Sequence, residues 1–180
     1  MRSSGEIVYV AVGANLGDRD ATFSATIDAI EVESDLLLLA ASPVFETPPL
    51  GPPDQGPYLN AVMQLRTWLG PLELLQRLQA IEEALGRDRR RARERWGPRE
   101  IDLDIVFYGD RCIESPELVV PHLHAHERVF VMAPMAEIAP SFIHPKLGVS
   151  IGQIVRSMSD VEDVLPWPRP RGWPGHAPGR

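Results

Sequence analysis

The 180-residue chain is poor in lysine, in cysteine and in long apolar runs. Lys146 is its only lysine, so no glycine-rich loop ending in Lys-Ser or Lys-Thr is present to act as a P-loop. Cys112 is its only cysteine, which excludes an internal disulfide and suits a reducing cytoplasm. The longest purely apolar run, residues 36–41, is far too short to cross a bilayer. We therefore expect a cytoplasmic protein that binds any anion through arginine.

The overall charge is negative, with a formal net charge of −7 and a pI near 5.2. This charge argues against a general nucleic-acid binder, because such a protein would need a positive surface to displace counterions from phosphates. With 44% apolar and 24% charged residues, the chain has a globular composition, and its length suits one domain. We expect that domain to span residues 1–165, followed by a Pro- and Gly-rich tail over 166–180 that is disordered or draped along the surface.

Apolar periodicity predicts four strands and two helices in the order βαββαβ. The predicted strands cover residues 7–12, 36–46, 58–68 and 101–108, and the predicted helices run from Asp18 or Asp20 to about 32 and from 70 to about 85. This order predicts an α+β fold of the ferredoxin-like type, an antiparallel sheet with helices packed on it. After a loop through Pro121, helices over 126–138 and near 151–158 are expected to form a C-terminal helical extension.

Two segments between these elements read as loops with functional potential. The stretch 47–57 holds five prolines and cannot continue a strand, so it predicts a stiff loop of the kind that shapes pockets. The stretch 87–99 holds seven of the seventeen arginines and almost nothing apolar to bury. Such a run is usually a solvated surface loop, but Trp96 within it favours a mobile lid that closes over a ligand.

Asp102 and Asp104 are two residues apart on a predicted strand, so their carboxylates share one face while Leu103 points the other way into the core. Paired carboxylates repel each other unless a cation lies between them, and oxygen ligands of this kind suit Mg²⁺. The alternative is a pair of solvated polar residues on a half-exposed strand. The arginine-rich loop immediately upstream favours a site for ATP with Mg²⁺.

A histidine cluster at 122–126 raises the alternative of a zinc site. Its three histidines are spaced two apart on an irregular segment, without a cysteine or carboxylate partner nearby, so the zinc interpretation is weak.

Four separated motifs carry a family resemblance: Thr-Pro-Pro-Leu-Gly-Pro at 47–52, Tyr-Leu-Asn-Ala at 58–61, Arg-Trp-Gly-Pro-Arg-Glu-Ile-Asp-Leu-Asp-Ile at 95–105 and Pro-His at 121–122. Together they resemble 6-hydroxymethyl-7,8-dihydropterin pyrophosphokinase, in order from the turn at 13–17 to about residue 145. The resemblance implies an enzyme of folate synthesis that transfers diphosphate from ATP to the pterin hydroxymethyl group and releases AMP.

Carried over residue by residue, the resemblance implies a complete site. Two Mg²⁺ ions bind Asp102 and Asp104, and the catalytic set is Arg87, Arg95, Arg99, Asp102 and Asp104. The implied pterin pocket consists of Thr47, Pro48, Leu50, Tyr58, Asn60, Trp96 and Phe130. The implied ATP contacts are Gln79, Glu82, Arg89, Arg95, Trp96, Arg99, Ile105, His122 and Arg128.

Physical chemistry supports the pterin assignment, since a flat heteroaromatic ring suits a sandwich between Tyr58 and Phe130 with Asn60 at its edge. Without the motifs, core packing would be the preferred explanation of both aromatic residues. The chain departs from the family pattern at Glu117, Val119 and Leu123, and a longer loop after Arg89 leaves the register of 89–93 open.

Two other functions fit parts of the sequence. A ferredoxin-like module could hold single-stranded RNA on its sheet aromatics and arginine loop, although the net acidity and the diacid weigh against it. A degenerate pyrophosphokinase could serve as a regulator, although both aspartates are present. The expectation is a monomer that acts on ATP and the pterin, with no nucleic-acid or membrane partner.

Overall fold

The computed structural model describes residues 4–49, 54–87 and 98–175. The predicted lid residues Arg89, Arg95 and Trp96, and the predicted pocket residue Leu50, lie outside these ranges. In chain order the elements are β1 (Glu6–Ala14), α1 (Arg19–Glu31), β2 (Leu36–Ala41), β3 (Phe45–Thr47), β4 (Tyr58–Thr67), α2 (Pro71–Ala84), β5 (Asp102–Tyr108), β6 (Ile113–Glu114), β7 (Val119–Val120), α3 (Val129–Ile138), α4 (Ile151–Arg156) and β8 (Leu165–Pro166). Short 3₁₀ turns occupy Ala125–Glu127 and Val161–Asp163.

The four long strands lie side by side in the order β5, β1, β4, β2, and every neighbouring pair is antiparallel. Helices α1 and α2 connect strands that are not adjacent, which is the split βαβ arrangement of a ferredoxin-like fold. The predicted α+β class is therefore confirmed. No helix in the described ranges is both long and apolar enough to cross a bilayer.

The predicted second strand, 36–46, is interrupted at Ser42, Pro43 and Val44. β2 pairs with the second half of β4 and β3 pairs with its first half. The single predicted strand is therefore two separate strands. Pro43 has no N–H to donate to a ladder, and the Ser42 hydroxyl accepts a bond from the Val62 N–H at 2.9 Å instead. A second correction concerns the predicted loop before Pro121, which contains the small β6–β7 hairpin.

Both faces of the sheet are buried under helices. Alternate residues of β1 and β4 face α1 and α2, and their largest fully buried partners there are Phe23, Ile30, Leu74 and Leu78. The intervening residues face α3 and α4 in a second core, which contains Tyr9, Val62, Phe107, Met132, Met135 and Ile151. The period of two along each strand thus produces a three-layer structure with one core on each side of the sheet.

The C-terminal segment packs against the sheet edge. Leu165 and Pro166 of β8 pair with Glu46 and Phe45 of β3, so the boundary predicted at residue 165 falls inside a strand. Trp173 is 3% exposed, packs its ring 5.0 Å from that of Phe23, and donates its indole N–H to the Ser42 carbonyl at 2.8 Å. Within 166–175, the segment therefore contributes an aromatic side chain to the core under α1.

Candidate active site

Strand register brings the predicted site residues into two rows across the sheet. Gly13 of β1 lies opposite Asn60 of β4 on one side and Asp102 of β5 on the other. One step further, Ala11 lies between Val62 and Asp104. Side chains in such rows share one face, so the small residues of β1 leave space between the amide of Asn60 and the two carboxylates.

A cavity of about 390 Å³ opens over these rows on the α3 side of the sheet. Ten residues that the sequence predicted for the site line it: Thr47, Pro48, Tyr58, Asn60, Arg99, Asp102, Asp104, His122, Arg128 and Phe130. Most of these residues come from β3, β4 and β5 or directly flank them, and the others come from the segment before α3 and from α3 itself. The structure therefore brings predicted pterin residues and predicted nucleotide residues into one space.

Four other predicted residues do not line this cavity: Arg87, Gln79, Glu82 and Ile105. The Ile105 side chain is 3% exposed and packs in the core of the α1 and α2 face, opposite to the Asp104 carboxylate. Gln79 is a half-buried residue of α2. Any contact of Ile105 with a nucleotide would have to use its backbone.

Asp102 is held by two arginines. Its Oδ1 accepts a bond from Arg87 Nη1 at 2.7 Å, and its Oδ2 pairs with Arg99 Nη1. Burial alone lowers the pKa of Arg87, but the carboxylates of Asp102 and Glu82 more than offset this and raise it overall. The cations that the sequence predicted for phosphate binding therefore already lie beside the predicted metal ligand.

Glu82 anchors this arrangement from the α2 side. Its carboxylate is 2% exposed, accepts the Leu103 backbone N–H at 2.7 Å, and pairs with Arg87. A buried carboxylate is stable only with such partners. The bond from Leu103 to Glu82 therefore holds α2 against β5 at the residue between the two aspartates.

Asp104 has no comparable cation at hydrogen-bonding distance among the contacts described. Desolvation in the cavity, followed by the negative charges of Asp102 and Glu82, raises its pKa to about 7. The side chain is nevertheless 43% exposed to the cavity, so a ligand can reach it. His122 Nε2 is 4.0 Å from Asp104 Oδ2. Burial first, and the positive charge of Arg128 second, lower the pKa of His122 to about 4, so its imidazole is neutral at pH 7.

At the other end of the cavity, one amide is fixed in place. Asn60 is 6% exposed and donates its Nδ2 to Thr47 Oγ1 at 2.6 Å. Gly13 lies directly beneath, where an added Cβ would be 3.3 Å from Asn60 Oδ1 and 3.8 Å from the Tyr58 ring. The aromatic rings of Tyr58 and Phe130 line the same cavity, which supplies flat apolar surface in addition to this fixed polar group.

Sequence reasoning missed Asn15. Its Oδ1 accepts the Arg99 N–H at 2.7 Å, and its Nδ2 donates to Gln55 Oε1 and to the Gly56 carbonyl, both at 3.3 Å. This 8% exposed side chain thus joins the proline-rich segment to the arginine segment. The sequence signal for Asn15 was its position in a turn between two glycines, because a polar side chain that becomes buried there needs hydrogen-bond partners.

The histidines do not form a zinc centre. Nδ1 of His124 is 3.1 Å from Glu127, and the His126 ring packs against that of His144. Throughout 4–49, 54–87 and 98–175, no group of three or more His, Cys, Asp or Glu side chains is arranged to hold a metal.

A ferredoxin-like sheet with paired carboxylates, arginines and two aromatic side chains in one cavity is typical of an enzyme that transfers phosphoryl groups to a small flat acceptor. Comparison with known families makes the class specific. Residues 9–140 match the family model described as 7,8-dihydro-6-hydroxymethylpterin-pyrophosphokinase. The chain belongs to that family.

Individual relatives agree with this assignment. A 2-amino-4-hydroxy-6-hydroxymethyldihydropteridine pyrophosphokinase of Pseudomonas aeruginosa is 45% identical over 138 residues, which cover 77% of this chain and 83% of the relative. The Haemophilus influenzae enzyme of the same name is 40% identical over 152 residues, covering 84% and 92%. A crystal structure of Plasmodium falciparum HPPK-DHPS superposes with a TM-score of 0.67 at 14% identity, covering 85% of this chain and 43% of that one. This last likeness concerns the fold alone.

Proposed function

We propose that the cavity carries out the reaction of the family, the transfer of diphosphate from ATP to the hydroxymethyl group of 6-hydroxymethyl-7,8-dihydropterin in folate biosynthesis. One observation carries the assignment of the site. The carboxylates of Asp102 and Asp104, the guanidinium of Arg99 and the aromatic slot at Tyr58 and Phe130 line a single cavity. A phosphate-binding end and a ring-binding end are thus within reach of one pair of substrates.

The carboxylates fit Mg²⁺. Oxygen donors of Asp102 and Asp104 are hard ligands, and burial together with the charges of Asp102 and Glu82 raises the pKa of Asp104, as expected of a carboxylate that a cation would stabilise. Mg²⁺ is commonly held by one or two carboxylates together with water and substrate phosphates. We propose two such ions at Asp102 and Asp104, which when bound would neutralise charge on the transferring diphosphate.

The ring-binding end would hold the pterin. Tyr58 and Phe130 offer apolar faces, and Asn60 presents one fixed amide whose orientation is set by Thr47. A preorganised amide of this kind can read the donors and acceptors along a heterocycle edge at little entropic cost. Pro48 contributes rigid apolar surface, and Leu50 and Trp96 stay predicted members of the pocket.

The phosphate-binding end would hold ATP. Arg99 and Arg128 line the cavity next to the carboxylates, and neutral His122 can donate one N–H to a phosphate oxygen. Arg87, which follows the end of α2, donates to Asp102 and therefore lies beside the phosphate-binding end. Arg89 and Arg95 stay predicted contacts, as do Gln79 and the backbone of Ile105.

In the proposed reaction the pterin hydroxymethyl oxygen attacks the β-phosphorus in line. A new O–P bond forms and the hydroxyl proton passes to solvent, while the bond from the β-phosphorus to the α,β-bridging oxygen breaks and AMP leaves with that oxygen. The chain's contribution is positioning and charge, because its arginines face the transferring diphosphate and its aromatic slot fixes the acceptor. No side chain is assigned as general base.

We also propose that the enzyme acts as a monomer in the cytoplasm. An exposed free Cys112 suits a reducing compartment.

The products of the reaction test this proposal. With ATP, Mg²⁺ and 6-hydroxymethyl-7,8-dihydropterin, we expect AMP and the pterin diphosphate in equal amounts, resolved by chromatography. An ordinary kinase would release ADP and a pterin monophosphate. Either of those products, or nucleotide turnover that does not depend on the pterin, would contradict the proposal.

The ring-binding end can be tested separately at Gly13. Gly13→Val places methyl groups against Asn60 and the Tyr58 ring, where a Cβ alone is already at 3.3 and 3.8 Å. We expect the KM for the pterin to rise about tenfold or more, because overpacking costs about 1–3 kcal/mol, while the Kd for ATP changes little. Gly56→Ala is the matched control, since its Cβ makes only an ordinary contact at 3.7 Å. Equal pterin KM values in both variants would remove Gly13 from the pocket.

A further inference from the structure

Arg19, the first residue of α1, connects two points that flank the ring-binding end of the cavity. Its Nη1 donates to the Pro57 carbonyl at 2.8 Å, and its Nη2 pairs with Glu46 Oε2 at 3.0 Å. Glu46 directly precedes Thr47, and Pro57 directly precedes Tyr58. One guanidinium therefore bridges Glu46 and Pro57, the two residues that directly precede the cavity-lining Thr47 and Tyr58.

The same guanidinium is stacked on Trp167, with its Cζ 4.8 Å from the ring centroid. Holding the long Arg19 side chain in one rotamer costs conformational entropy, even though its guanidinium bonds to a carboxylate and a carbonyl. A flat ring beneath the guanidinium reduces the number of alternative positions and adds a cation–π attraction. The indole therefore favours the one Arg19 rotamer that reaches both partners.

Trp167 is itself fixed by three kinds of contact. Its backbone N–H donates to the Val44 carbonyl at 2.9 Å, its indole N–H donates to Asp20 Oδ1 at 3.1 Å, and the preceding residues pair with β3 as β8. Six residues later, buried Trp173 anchors the segment in the core under α1. The indole is thus a rigid support that the C-terminal segment places next to β3.

This support lies outside the part of the chain that matches the family model, which ends at residue 140. The ring-binding end therefore depends on a segment that the family match does not include. We infer that Arg19 and Trp167 are positioning residues for the pterin, which act through Glu46 and Pro57 on Thr47 and Tyr58. This inference rests on the proposed pterin pocket.

The test measures steady-state kinetics of Arg19→Ala, Trp167→Ala and the milder Trp167→Phe. We expect the alanine variants to raise the pterin KM at least about fivefold, because each loses an ion pair or a cation–π contact. Their kcat and ATP KM should stay within about twofold of the parent. Trp167→Phe keeps a ring beneath the guanidinium and should recover most of the pterin affinity. The double variant Arg19→Ala/Trp167→Ala should be no worse than Arg19→Ala, because both residues act along one route.

Three controls separate positioning from general stability. Arg77→Ala removes another arginine–glutamate pair, the one with Glu33, and should leave the pterin KM unchanged. Ile30→Val, in the core under α1, should lower the melting temperature without raising the pterin KM. Asn60→Ala tests the pocket itself. If Asn60→Ala raises the pterin KM and neither Arg19→Ala nor Trp167→Ala does, the positioning role is overturned while the pocket stands. If none of the three raises it, both are overturned.

Discussion

Replacement of Asp104 by asparagine is expected to lower turnover about a thousandfold or more while the protein stays folded. The carboxylate lines the cavity and is 43% exposed to it, so its loss removes a metal ligand without opening a void in either core. Loss of charge stabilisation at one transition-state contact costs about 10²- to 10³-fold, and loss of a metal ligand should cost at least as much. Asp102→Asn should have a similar effect on turnover.

The same variant should be more stable than the parent at alkaline pH. An aspartate has a pKa near 3.9 when unfolded, and burial raises that of Asp104 to about 7 in the folded state. The folded protein therefore holds this proton more tightly, so the contribution of Asp104 to stability is fully present below about pH 4 and is lost as the pH rises through about 7. Asparagine never ionises, so Asp104→Asn should gain about 1 kcal/mol in unfolding free energy at pH 8 and nothing at pH 4, a small figure because the side chain is partly exposed.

Urea unfolding at pH 4 and pH 8, together with an assay of AMP release, measures both effects. Asp110→Asn, in the exposed turn after β5, is the matched control and should change neither activity nor stability appreciably. Mg²⁺ binding should also weaken as the pH falls below about 7, because protonated Asp104 cannot bind a cation. Near-normal turnover of Asp104→Asn in Mg²⁺ would remove Asp104 from the metal site, and a loss of its stability at pH 8 would contradict the raised pKa of Asp104.

A large effect on stability is expected at Glu82. Glu82→Ala should reduce the unfolding free energy by about 3 kcal/mol or more, because it leaves the Leu103 N–H and the Arg87 guanidinium without their buried acceptor. Glu82→Gln keeps an acceptor for Leu103 but loses the charge, so its cost should be smaller. Both variants should also weaken ATP binding, since Arg87 would lose one of the two carboxylates that direct it.

Chemical unfolding and titration with an ATP analogue measure these quantities. Gln76→Ala, on the exposed face of the same helix, should change stability by less than about 0.5 kcal/mol. A Glu82→Ala variant as stable as the parent would show that the buried contacts are not needed, and a direct contact with the nucleotide would then explain the residue better.

Local sequence pattern predicted the parts of this molecule that depend on local geometry. Alternation along 101–108 sufficed to place Asp102 and Asp104 on one face with Leu103 on the other, and helical spacing after Gly70 sufficed for α2. The family motifs supplied the remaining members of the cavity. Their role in binding stays a prediction, as does the closing of a lid that contains Trp96.

The parts that local pattern could not predict depend on contacts between distant segments. Glu82 reads as an ordinary polar residue on α2 until Leu103 and Arg87 are brought against it. Trp173 reads as part of a flexible tail, because only the folded chain shows the pocket beside Phe23 that accepts its ring. Pro43 indicated a break in the strand, but the apolar residues on both sides of it favoured one continuous strand.

The placement of the two cores on opposite sides of the sheet has a consequence for engineering. The cavity opens on the α3 side, whereas Phe23, Ile30, Leu74 and Leu78 pack on the other. Repacking of the core under α1 and α2 would change the stability of the scaffold through residues that do not line the cavity. Thermostable versions of this enzyme could therefore be sought under α1 and α2 with little risk to substrate choice, while altered acceptor range would have to be sought among the side chains of β1, β4 and α3.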